Sequence, residues 1–288
     1  MFRLLSWLSE RKLLAAVTAG VYFVAVVVCH HEVSRIVEWM NATLSFKSTN
    51  RFMLEGSVLL ALLVLVPALI SFRRGEHKLF QIALWLFTAI LVVLCYRILI
   101  VVNVENIHFL QYALLTVPVF ALVRRYGETV FWVTLLGALD EAYQYFVLYP
   151  HRQDFYFDFN DIVINLAGAG IGVAYIYTFL DVKAKPISFG SRPRREWYRS
   201  PVFLATAIIS FGILTLYMTG LLKFYPSPEA ADVPLVLSRI PAATTFWTEP
   251  KFGKPFHILN PLEGVISAGI LMACYLLWDH LAATRNRT

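Results

Sequence analysis

Asp140 and Glu141 stand side by side inside an otherwise apolar run, Val130 to Leu148, and their position is the chain's strongest chemical signal. An Asp near the centre of a hydrocarbon layer costs about 2.5 to 3.5 kcal/mol on insertion scales, so two such groups in one segment must find partners on neighbouring segments. Two adjacent carboxyls in a poorly hydrated bundle resist ionising together. Either is therefore a candidate general acid or base. Gln144 follows one helical turn later and shares their face. Two further polar stripes accompany them. Glu105, His108 and Tyr112 fall at i, i+3 and i+7 with Gln111 at their border, and Asp161 and Asn165 at i and i+4 lie above Gly168 and Gly172, a small-residue pair of the kind that lets helices approach closely. Asp140, Glu141 and His108 are the catalytic candidates. The Glu105-x-x-His108 spacing matches half of a di-iron bundle motif. No second copy exists in the chain, so neither a metal nor another cofactor is expected. Three cysteines, none in CxxC spacing, indicate neither a zinc knuckle nor a disulfide framework.

These residues need a membrane around them. Of the 288 residues 58% are hydrophobic and only 15% charged, which excludes an ordinary soluble domain. Runs of the required length predict helices at Leu13 to Cys29, Gly56 to Phe72, Leu79 to Val102, Ile107 to Val123, Val130 to Leu148, Ile162 to Leu180, Val202 to Leu222 and Leu262 to Asp279. The fold class expected is an all-α, polytopic transmembrane helix bundle of about eight spans. With both termini in the cytoplasm, 16 of the 25 Lys and Arg residues face inward, as the positive-inside rule requires. The densest stretch, Lys183 to Arg199, reads as a topology anchor against anionic lipid rather than a nucleic-acid site. On this orientation the three polar stripes form a funnel open to the outside, with Asp140 and Glu141 roughly 11 to 12 Å below the outer edge at 1.5 Å per residue.

Two outer segments are long. His30 to Glu55 contains Val33, Ile36, Val37 and Met40 at helical spacing and suggests an interfacial helix. Lys223 to Pro261 is rich in proline and aromatic residues and reads as a cap, with a lid as the alternative. Arg97, in the third span, is a candidate counter-ion for the acids or a snorkelling arginine. His30, His31 and His257 are expected to be solvated or interfacial.

The stretch Glu105-Asn-Ile-His108-Phe-Leu-Gln-Tyr112, then Asp140-Glu141-Ala-Tyr-Gln144, Arg152, and Asp161-Ile-Val-Ile-Asn165-Leu-Ala-Gly168 resembles the VanZ-like family. The resemblance covers about Leu79 to Leu180. It divides the chain into an N-terminal two-span addition (1–78), a four-span core (79–181) and a C-terminal two-span addition (182–288) with a long outer loop. The turn Gln153 to Asn160 is longer than the family's and separates Arg152 from the Asp161 element. The founding member is associated with resistance to the lipoglycopeptide teicoplanin, so the resemblance implies a multi-pass protein of the bacterial plasma membrane, linked to the cell envelope and to antibiotic resistance.

Three functions fit an outward polar pocket. The first is binding or handling of an envelope amphiphile, a lipid-linked wall precursor or a lipoglycopeptide, by Glu105, His108, Gln111, Tyr112, Asp140, Glu141, Gln144, Arg152, Asp161 and Asn165. The second is a membrane enzyme using Asp140 or Glu141 as base and His108 as acid on lipid head groups. The third is a proton-coupled transporter or flippase. Lipid or a lipid-linked molecule is the partner in each, with no role for nucleic acid, and whether the chain oligomerises stays open.

Overall fold

A computed structural model describes residues 2–72, 78–152, 155–181, 200–225, 235–241, 244–248 and 254–285. The basic stretch Lys183 to Arg199 lies outside them. The described chain is an all-α bundle. Its helices are α1 (Phe2–Glu10), α2 (Lys12–Leu44), α3 (Phe46–Phe72), α4 (Lys78–Leu94), α5 (Ile107–Val123), α6 (Tyr126–Tyr143), α7 (Phe159–Asp181), α8 (Pro201–Met218) and α9 (Pro261–Arg285). A wide π turn, Cys95–Leu99, prolongs α4, another, Gln144–Leu148, prolongs α6, and a 3-10 turn, Asn103–Asn106, leads into α5.

Seven of these segments are long and apolar enough to cross a membrane: α2, α3, α4 with its π turn, α5 with its 3-10 turn, α7, α8 and α9. The eighth expected span is α6 with its π turn. It carries Glu128, Asp140 and Glu141, and it is sheltered by α5, α7 and α9, against all of which it packs. Burial inside the protein separates core from periphery. The α7 span is 83% buried and the α5 span 50%, whereas those of α3 and α8 are 6% buried, as befits helices whose apolar sides face lipid rather than protein. The last helix joins the core, since Tyr275 is fully buried and shares a 3.0 Å hydrogen bond with Thr88 of α4.

Helix ends follow local chemistry. Ser45 and Arg124 take positive φ, 77° and 60°, and terminate α2 and α5 in conformations a helix cannot continue through. The N-terminus of α6 is capped from a distance: the Asp279 carboxylate accepts the Tyr126 and Glu128 amides at 2.7 and 3.1 Å, where free N–H groups and the helix dipole favour an anion. At the same end, α1 seats Leu5 and Leu8 against Phe120, Ala121 and Ile176.

The small-residue seam is observed. A Cβ on Gly168 would stand 2.8 Å from the Phe109 carbonyl oxygen, and one on Gly172 2.6 Å from that of Ala113, so α7 meets α5 backbone to backbone only because both positions lack a side chain. One expectation fails. His30 to Glu55 is neither a loop nor a separate interfacial helix, because α2 runs unbroken for 33 residues, about 50 Å at 1.5 Å per residue. No Gly or Pro stands between Cys29 and Ser45 to stop it.

The described parts of the segment after α8 cover the end of the bundle that the charge rule assigns to the outside. Leu222–Lys223 pairs in parallel with Leu235–Val236. The Phe157 amide donates to the Leu237 carbonyl at 2.8 Å, the Arg239 amide to Phe155 at 3.0 Å, and the His257 amide to Ile98 at 2.7 Å. The expected cap is therefore fastened to two separate stretches of the core.

Candidate functional site

The three polar stripes converge. Nδ1 of His108, from α5, lies 2.9 Å from Oδ1 of Asn165 on α7, and its Nε2 lies 3.6 Å from an Asp161 carboxylate oxygen. Glu141 of α6 completes the group: one ligand-capable atom from each of His108, Glu141 and Asp161 lies within 4.8 Å of the others. Tyr112 donates to Oδ2 of Asp140 at 3.0 Å, and its ring stacks against that of His108. Gln144 donates to Glu141 at 3.2 Å. Asp140 is 1% exposed, Glu141 3% and Asn165 0%, so both carboxyls of α6 avoid lipid by facing α5 and α7, as their insertion cost requires.

His108 and Asp161 are the second and third residues of α5 and α7, so the group sits at the ends of those helices. As the count back from Leu148 expected, α6 and its π turn run seven residues beyond Glu141, and the chain then folds back to bring Asp161 beside Glu141.

Other expected members are placed differently. Glu105, not part of the central trio, accepts the Val101 amide at 2.8 Å, because the 3-10 turn at Asn103–Asn106 takes it off the α-helical register with His108. Gln111 is half-buried, and its backbone carbonyl accepts the Tyr22 hydroxyl. Arg152 is exposed and lies over the rings of Tyr149 and Phe155. Arg97 is exposed as well, and among the described residues no ion pair joins it to the acids. Among the described residues it is the His108 imidazole, 3.6 Å from Asp161, that approaches these carboxylates.

Several contributors escaped the pattern reading. Asp158 accepts the amides of Asn160 and Asp161 at 2.9 and 3.2 Å as the N-cap of α7, a role its place just before the apolar run could have signalled. Burial, and then the neighbouring Asp161, push its carboxyl up to about 8. The Tyr156 hydroxyl is pushed well above its ordinary value by burial and by the carboxyls of Asp158, Asp161, Glu105 and Glu141 around it. Tyr156 also lines a cavity of about 340 Å³ beneath the cover, with Leu237, Ser238, Phe246, His257 and Glu263 among its other walls. It therefore stands between that cavity and the acidic group. Here His257 is neither solvated nor free, being 7% exposed and placed 2.6 Å from the Phe246 carbonyl and 3.1 Å from Glu263.

Two cations at this end serve the backbone. Arg239 donates to the carbonyls of Tyr149, Arg152 and Tyr145 and covers the Tyr145 ring at 4.2 Å. Lys254 donates to the carbonyls of Tyr96 and Ile100, and burial lowers its pKa. No family model, curated protein or solved structure matches this chain. The site's meaning rests on its own geometry.

Proposed function

We propose that this chain is a VanZ-like protein of the bacterial plasma membrane that holds the head group of a cell-envelope amphiphile in its acidic pocket. The carrying observation is the convergence of Glu141, Asp161 and His108, beside buried Asp140, with no Lys or Arg paired to them among the described residues. An acceptor-rich, poorly hydrated site favours a ligand that brings donors, an ammonium or a hydroxyl-rich sugar, because each charge-assisted hydrogen bond is stronger there than in water. Lipid-linked wall precursors and lipoglycopeptides carry such groups on apolar chains. Those chains have a place beside α2, α3 and α8, whose apolar side chains are largely exposed.

Acid–base chemistry on the same head group is the second reading. It is favoured by His108, whose Nδ1 is held by Asn165 while Nε2 faces a carboxylate, the arrangement that orients a catalytic imidazole. Transport has less support, since the ends of α5 and α7 away from the acidic group are packed against Leu5 and Leu8 of α1.

Native mass spectrometry of gently extracted protein tests the proposal. A retained amine- or sugar-bearing lipid is expected, at least about tenfold depleted in Glu141→Gln and Asp161→Asn, a loss of about 1.4 kcal/mol or more. The same substitutions are expected to abolish any effect of the chain on teicoplanin susceptibility. Equal lipid retention in wild type and both variants would remove the pocket's role.

A further inference from the structure

We propose that His108, Glu141 and Asp161 bind a divalent transition-metal ion of the zinc class, which then presents an open coordination position to the head group. The inference deepens the pocket reading and rests on it for the head group, but the ion's binding can be measured without any lipid.

Three observations carry it. The donors come from three different helices, α5, α6 and α7, and their ligand-capable atoms already lie within 4.8 Å of one another. Bonds of about 2.0 to 2.2 Å to a common ion place ligand atoms roughly 3 to 3.6 Å apart. The His108–Asp161 pair, at 3.6 Å, is already there, and a Glu141 oxygen lies within 4.8 Å of both. The second observation is the outer partner of the imidazole. With Asn165 Oδ1 accepting from Nδ1–H at 2.9 Å, Nε2 carries a lone pair toward carboxylate oxygens. Such a fixed tautomer is what a metal-bound histidine requires of its surroundings. At 3.6 Å from the Asp161 oxygen Nε2 is too far for a hydrogen bond, and a cation between the two would be coordinated by both.

The third observation is independent of the trio. Asp140 is 1% exposed, and its Oδ1 has no hydrogen-bond partner. It lies close enough to act electrostatically on both His108 and Asp161. A buried carboxyl oxygen without a partner, beside three candidate ligands, is a further acceptor for an ion, and such groups in native proteins otherwise find partners. One imidazole with carboxylates selects zinc, manganese or iron over magnesium or calcium, which prefer oxygen alone. The Glu105-x-x-His108 spacing had suggested a different and incomplete ligand set. In the folded chain Glu105 is taken by the Val101 amide, and residues distant in sequence replace it.

The full chain, purified in detergent and stripped with chelator, is to be titrated with Zn²⁺ by calorimetry and with Co²⁺ by visible absorption. One Zn²⁺ per chain is expected, with a Co²⁺ d–d band that Zn²⁺ displaces. Asp161→Asn and Glu141→Gln are each expected to weaken Zn²⁺ binding at least tenfold, while His257→Gln, in the separate His257–Glu263 pair, leaves it unchanged. Absence of the Co²⁺ band and of stoichiometric Zn²⁺ in wild type overturns the proposal, whatever the variants do. So does binding equal in wild type and both carboxylate variants. Lipid retained by chain that binds no Zn²⁺ overturns the ion and leaves the pocket standing, whereas Zn²⁺ bound by chain that retains no lipid upholds the ion and removes the pocket's role.

Discussion

Asn160→Ala is expected to cost about 3 to 5 kcal/mol, because buried groups left without a hydrogen bond cost about 1 to 3 kcal/mol each. Asn160 is 3% exposed and joins three segments through one side chain. Its Nδ2 donates to the Leu99 carbonyl at 3.1 Å and to the His257 carbonyl at 2.7 Å, and its Oδ1 accepts the Leu259 amide at 2.9 Å. These bonds hold the end of the α4 segment, the start of α7 and the stretch 257–259 leading into α9 in one arrangement. Asn160→Asp keeps the acceptor and loses both donors, so it is expected to fall between wild type and Asn160→Ala. Thermal unfolding in detergent measures the order. Equal melting of all three would show that the cover is held by other contacts.

Gly168→Val is expected to be as damaging and to strike the site directly. The new Cβ would meet the backbone carbonyl oxygens of Phe109 and His108 at 2.8 and 3.1 Å. Backbone cannot rotate away as a side chain can, so α5 must shift from α7. Overpacking of this kind costs about 1 to 3 kcal/mol or more. Because His108 rides on α5 and Asp161 and Asn165 on α7, the same shift pulls the imidazole from its partners. Loss of lipid retention together with a lowered melting temperature is the expected pair of results. Gly212→Val serves as control, since a Cβ there meets nothing within 4 Å. Comparable damage from both would mean that β-branching in the helix, rather than the close approach of α5, is responsible.

What could be read from sequence depended on the range of the interaction. Residues whose neighbours lie within one helix were legible: the spans from apolar run length, the shared face of Asp140, Glu141 and Gln144, and the Gly168–Gly172 seam. The meeting of three stripes was legible as well, because an acid in hydrocarbon leaves so few other solutions. Local departures from the α-helix were not. The 3-10 turn that draws Glu105 away from His108 moves a residue by a fraction of a turn, and the unbroken run of α2 through residues 30–44 moves a whole segment. Hydropathy cannot register them. Nor does local pattern reveal that Arg239, distant in sequence, tethers three carbonyls around Tyr145, or that Asp279 caps a helix more than 150 residues earlier in the chain.

To hold an envelope head group, the acidic group must be reached from outside the membrane. Single cysteines at His151 and Arg152, both exposed at the end of the bundle that holds the acidic group, in a chain whose Cys29, Cys95 and Cys274 are alanine, are to be challenged in intact cells with a membrane-impermeant maleimide. Labelling from outside is predicted at both, while Arg125→Cys at the opposite end reacts only after the cells are opened. If positions 151 and 152 instead react only in opened cells, the pocket faces the cytoplasm, and an envelope head group cannot be its ligand.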